Sequence, residues 1–188
     1  MLTPSTPRPI WLQQARRCPS PNQDERPPGT EVNLLVIHGI SLPAGAFGGP
    51  WIEALFQNRL PRHRHPCFQD IHRLRVSSHL LIRRDGELIQ FVPLERRAWH
   101  AGRSSFQGRE ACNDFSIGIE LEGTDHIPYT DSQYHTLAAT VARIRHWFPA
   151  ITPERTVGHS DIAPGRKTDP GPVFDWSRLH RLLKRMPE

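Results

Sequence analysis

Val32-Asn33-Leu34-Leu35-Val36-Ile37-His38-Gly39 holds an unbroken apolar run, Leu34 to Ile37, closed by a histidine and a glycine. A half-exposed strand would alternate apolar and polar residues. A continuous run of strand length marks a strand buried on both faces, so its sheet must be covered by helices. The run ends at His38-Gly39, which puts an imidazole where a buried strand gives way to a loop, a place favoured by catalytic groups in α/β sheets. Taken alone, a histidine there is more often a structural hydrogen-bonder.

Downstream, Ser41 to Pro50 reads as a Gly/Pro-rich loop and Trp51 to Asn58 as a short helix turning Trp51, Leu55 and Phe56 inward. Val76 to Arg83 reads as a strand, and Asp85-Gly86 turns it into Glu87 to Val92 as a β-hairpin. Phe115 to Glu122 is a second buried strand, with Ile117, Ile119 and Leu121 opposite Ser116, Gly118, Glu120 and Glu122. Two carboxylates on one face are costly if buried unpaired. Either that face looks into a cleft, where a carboxylate can act as general base, or it is a solvated edge; the pattern leaves both open.

Thr130-Asp131-Ser132-Gln133 has capping-box form, and Tyr134, Leu137, Val141, Ile144 and Phe148 follow at helical spacing. Thr156 to His159 is a short strand, and Asp175 caps a last helix, Trp176 to Leu183. The order predicts a single α/β domain, a mixed β-sheet with helices packed on its faces, over residues 31–188. Residues 1–30, with seven prolines from Pro4 to Pro28, form a Pro-rich segment that excludes long helices and central strands.

The loop Gly158 to Pro172 brings His159, Lys167 and Asp169 together. Pro164, Pro170 and Pro172 predict a stiff, largely non-helical course, in which Lys167 and Asp169, two apart, share a side. An imidazole and a carboxylate are ligand types of a catalytic zinc, which takes a third protein ligand and keeps one position open for water. His38 is the candidate third ligand. The bland alternative is a solvated surface loop. Arg96 to Asn113 reads as a long polar loop in which Trp99 offers a flat apolar wall to a ligand. His79 reads as structural, and His63, His65 and His72 as surface residues.

The 188 residues, 37% hydrophobic and 23% charged, describe an ordinary soluble globular chain. No apolar run approaches bilayer length and no secretory signal opens the chain, so no membrane partner and a cytoplasmic location are expected. Three widely spaced cysteines, Cys18, Cys67 and Cys112, fit a reducing compartment. A net charge of +5 permits an anionic ligand. The basic residues form no stripe interleaved with aromatics, which places nucleic acid well behind an acidic small molecule.

With these residues laid out, the chain resembles the zinc N-acetylmuramoyl-L-alanine amidases, within them the cytosolic AmpD type. The likeness runs from about Val32 to Leu183. It rests on His38-Gly-Ile-Ser-Leu-Pro, Arg75-Val-Ser-Ser-His, Arg83-Arg-Asp-Gly, Arg97-Ala-Trp-His-Ala-Gly, the stretch from Cys112 to Asp125 and Gly158-His-Ser-Asp-Ile-Ala-Pro-Gly-Arg-Lys-Thr-Asp-Pro-Gly. The resemblance implies that His38, His159 and Asp169 bind Zn2+, that Glu120 is the catalytic carboxylate and that Lys167 steadies the transition state. It implies cleavage of the amide between anhydro-N-acetylmuramic acid and L-alanine in recycled muropeptides, with an effect on β-lactamase induction. Phage-type relatives place a tyrosine where Ser78 stands and a cysteine ligand where Asp169 stands, which favours Glu120 as the base. AmpD-type chains usually carry Asn at the position of Gly39. Arg75 is a candidate grip for a stem carboxylate and Trp99 for the sugar or peptide. A monomer is expected. The competing reading is a non-catalytic peptidoglycan-recognition module on the same fold, which would typically lack a zinc ligand.

Overall fold

The computed structural model describes residues 9–186; the first eight residues, with Pro4 and Pro7 of the Pro-rich segment, lie outside the described residues. The strands are β1 (Arg16–Arg17), β2 (Gln23–Asp24), β3 (Leu34–Ile40), β4 (Leu80–Ile82), β5 (Leu88–Gln90), β6 (Arg97–Ala98), β7 (Ser105–Phe106), β8 (Arg109–Glu110), β9 (Ser116–Glu122) and β10 (Thr156–Gly158). The helices are α1 (Trp51–Phe56), α2 (Phe68–Ile71), α3 (Asp131–Trp147), α4 (His159–Ile162) and α5 (Trp176–Leu183). Six strands make one mixed sheet in the order β1-β5-β4-β9-β3-β10, antiparallel at β4–β5 and parallel at the other pairings.

The apolar run Leu34 to Ile37 therefore lies in a central strand, flanked by β9 and β10. Its residues divide between two cores. Leu35 and Ile37 join Leu80, Ile82, Ile117, Ile119 and Leu121 under α3 and α5, while Leu34 and Val36 pack on the opposite face with Cys112, Phe115 and Ile162. The helix α3 starts where its capping box sets it: the Thr130 side chain accepts from the Gln133 backbone N–H, and the Gln133 side chain accepts from that of Thr130. Its Leu137, Val141 and Ile144 are fully buried on the sheet, each contributing about 1.5–3 kcal/mol. On the other side α1 buries Ile52, Leu55 and Phe56 against Leu81, Ile89 and Phe91. Among the described residues no helix is long and apolar enough to cross a membrane.

Three stretches differ from the sequence reading. The hairpin strand is shorter than Val76–Arg83: the Ser77 N–H donates to the Trp99 carbonyl, and on β9 the Gly118 carbonyl and N–H are taken by the Ser78 hydroxyl and His79 Nδ1 instead of by strand backbone. The long polar loop contains β6 and the small β7–β8 hairpin, turned at Gln107-Gly108, both with positive φ. The loop after β10 opens with one helical turn, α4, since its prolines begin only at Pro164 and Asp161 accepts from the Gly158 N–H. From residue 9 the Pro-rich segment is built into the sheet edge: β1 lies along β5, β2 pairs with β6, and Leu12 and Asn22 are buried.

Candidate active site

Strand register and one loop assemble the site. His38 lies directly opposite Glu120 in the parallel β3–β9 pairing, and β10, on the other flank of β3, delivers His159 at the start of α4. Asp169 is tied back to that turn, its carbonyl accepting from the Ser160 N–H at 3.0 Å. The Tyr129 hydroxyl donates to the next carbonyl, that of Pro170, at 2.9 Å.

Three donor atoms converge. His38 Nδ1 lies 2.9 Å from His159 Nδ1, and Asp169 Oδ2 lies 3.3 Å from the first and 3.1 Å from the second. Two ligands held ~2.0–2.1 Å from one tetrahedral zinc sit ~3.3 Å apart, so the triangle has zinc-site dimensions. The protonation pattern agrees. His159 Nε2 is 3.1 Å from the Ala101 carbonyl, which can only accept, so that nitrogen carries a proton and Nδ1 is the ring nitrogen left to face the carboxylate. Lone pairs aimed at one point fit a cation. Burial lowers the His38 pKa to about 4, which keeps the ring a neutral ligand. Burial works against ionisation of Asp169, yet the adjoining His159 and His38 rings hold the carboxyl well below the usual carboxylate range. No other group of three or more His, Cys, Asp or Glu side chains among the described residues converges in this way.

Glu120 stands beside this triangle, 8% exposed, and its buried Oε2 has no hydrogen-bond partner among the described residues. Burial, followed by the Asp169 charge, raises its pKa well above the ordinary value, while Lys167 pulls it back. Lys167 itself is exposed on the loop that carries Asp169. β9 is thus no solvated edge: all seven residues are buried.

The family model for N-acetylmuramoyl-L-alanine amidase matches residues 28–172. The chain belongs to this amidase family. It is 60% identical over 173 residues to the 1,6-anhydro-N-acetylmuramyl-L-alanine amidase AmpD of Citrobacter freundii, covering 92% of each chain. A crystal structure of a selenomethionine AmpD derivative superposes with a TM-score of 0.90 at 59% identity, over 92% of this chain and 96% of that one. A more distant neighbour, at 28% identity and a TM-score of 0.60, covers 84% of this chain and 60% of its own; it is the amidase AmiD of E. coli in complex with the substrate anhydro-N-acetylmuramic acid-L-Ala-D-gamma-Glu-L-Lys.

As an amidase the protein is a hydrolase, and its sequence-predicted residues fall into two groups. His38, His159 and Asp169 converge, with Glu120 opposite His38 and Lys167 near enough for its charge to act on both; among the described residues Arg75 and Trp99 make no hydrogen bond or ion pair with them. Arg75 is exposed and donates to the Arg73 carbonyl. Trp99 is half-buried, and its indole N–H donates to Asp24 at 3.1 Å, which ties the edge of the ring to β2. Sequence reasoning passed over His100, 2.9 Å from His38 Nε2, and Tyr129. The clue for His100 was its place beside Trp99 in a loop that returns to the site. Tyr129, one residue before a helix cap, offered none.

Proposed function

We propose that this amidase hydrolyses the amide joining the lactyl group of 1,6-anhydro-N-acetylmuramic acid to L-alanine in muropeptides released from the cell wall. The observation that carries the reading is the buried Glu120 carboxylate, its Oε2 without a hydrogen-bond partner among the described residues, set directly across the strand pair from His38. A free carboxylate with a raised pKa beside a three-ligand group is poised to take and return a proton.

His38, His159 and Asp169 would hold a zinc ion, which when bound polarises a water and the scissile carbonyl. Glu120 removes the proton from the attacking water and gives it back to the departing L-alanine amine. Lys167 places its ammonium beside the developing oxyanion, where one such donor commonly contributes about 3 kcal/mol. The basic balance of the chain suits the anionic stem peptide, with Arg75 as an outer contact. The enzyme acts as a cytoplasmic monomer on muropeptides, and its recycling activity bears on β-lactamase induction.

The test is hydrolysis of anhydromuramyl-tripeptide by the purified protein, with and without a chelator, alongside its metal content. One zinc per chain and chelator-sensitive release of tripeptide are expected. Binding of the muropeptide without zinc or turnover would replace the proposal with a recognition module.

A further inference from the structure

His38 uses Nδ1 towards His159 and Asp169, and its other nitrogen meets a second imidazole: Nε2 lies 2.9 Å from His100 Nδ1. The chain of contacts continues, since His100 Nε2 lies 3.1 Å from Ser116 Oγ on β9. For His38 Nδ1 to act as a ligand it must be bare, so the ring's single proton sits on Nε2. His100 Nδ1 must then accept, and His100 carries its own proton on Nε2, which donates to Ser116. With His38 Nδ1 bare, this arrangement gives every bond in the chain one donor and one acceptor; the reverse polarity, from the Ser116 hydroxyl through His100, would put the proton on His38 Nδ1 and remove the ligand.

The surroundings hold that ring in place. Its backbone N–H and that of Ala101 both donate to Asn113 Oδ1, at 3.1 and 2.8 Å. The ring occupies room that only glycine leaves on β9, because a Cβ at Gly118 would stand 2.6 Å from His100 Cγ and Nδ1. It meets the His38 ring edge-on, centroids 5.0 Å apart and planes at 89°.

We infer that His100 is a positioning residue, a neutral imidazole that, itself oriented by Ser116, accepts the Nε2–H of His38 and so fixes the tautomer and direction of the metal-facing Nδ1. Outer partners of ligating histidines are commonly carboxylates or carbonyls. An imidazole in that role adds no negative charge beside Glu120. The inference rests on the reading of His38 as a zinc ligand, and its test separates the two.

The experiment is long-range 1H–15N NMR of the imidazole rings in zinc-loaded wild-type protein, which reads the tautomers without any substitution. The expected result is His38 and His100 both protonated on Nε2. A His100 ring protonated on Nδ1 overturns the inference while leaving the zinc site standing; failure to take up zinc overturns the underlying function reading instead. Zinc affinity of two variants adds a second readout. His100→Phe, which keeps bulk and removes the acceptor, is expected to lose about 10–100-fold. His100→Asn, whose amide oxygen can stand at the Nδ1 position, is expected to recover most of that. An equal loss in both points to a merely structural ring and counts against the inference. If His100→Phe does not fold, Ser116→Ala takes its place, with a smaller loss in the same direction, and unchanged affinity there counts against the inference too.

Discussion

Glu120 and Glu122 lie two residues apart on the same face of β9, 8% and 1% exposed, and their surroundings are opposite. Glu122 is consumed by the fold: it pairs with Arg83 at 3.3 Å and accepts from the backbone N–H groups of Gly48 at 2.6 Å and Arg84 at 3.2 Å. Glu120 is left with a buried oxygen that has no hydrogen-bond partner among the described residues. Burial is common to both, so burial does not mark the catalytic one. An unpaired buried carboxylate costs stability, and a fold retains that cost where chemistry needs a free base.

Substitutions at the two positions should break or sharpen this contrast. The largest effect is expected for Glu120→Ala, which should lower turnover about 10²–10⁴-fold with one zinc still bound, measured by product release and metal content. Near-normal turnover would erase the contrast. Glu122→Gln should instead cost about 2–3 kcal/mol in urea unfolding, because it strips Arg83 of one buried partner. Its loss stays at the lower end since Glu53 still pairs with Arg83 at 2.7 Å.

Glu120→Gln gives the sharper comparison, because its effect on stability should have the other sign. The folded protein holds this carboxyl's pKa above its ordinary value of 4.5, chiefly by burial. Ionisation then penalises the folded state, with no penalty below the unfolded value and a full one above the folded value. In metal-free protein the substitution should raise Tm at neutral pH and leave it unchanged below about pH 4, by calorimetry across that range. A Tm lowered at neutral pH would mean that Glu120 is paired after all.

Tyr129→Phe removes the hydroxyl that holds the Pro170 carbonyl and should cost about 1 kcal/mol, with weaker zinc binding. The smallest effect is expected for Arg75→Ala: unchanged thermal stability and a raised KM for the stem peptide at constant kcat. A lowered kcat would move Arg75 inward from the rim.

The contrast also shows what was legible in the chain. The buried strand around Leu34–Ile37, the hairpin at Asp85-Gly86 and the capped helix after Thr130 could be read because each depends on local periodicity, turn chemistry or capping. The donor types His38, His159 and Asp169 could be named for the same reason, since ligand chemistry belongs to the side chain. The Pro-rich segment was harder: prolines exclude a central strand but not the two-residue edge strand that Arg16–Arg17 makes on β5.

The sequence by itself determined the layered α/β architecture, the two carboxylates of β9 and the residues able to bind a metal, because these follow from residue type and near neighbours along the chain. Only the tertiary structure decided which carboxylate stays free, which histidine stands behind His38 and what holds the edge of the Trp99 ring. Those outcomes depend on partners far away in sequence: Arg83 for Glu122, His100 for His38 and Asp24 for Trp99. Spacing along a chain does not encode such distances; the register of parallel strands and the packing of loops against them do.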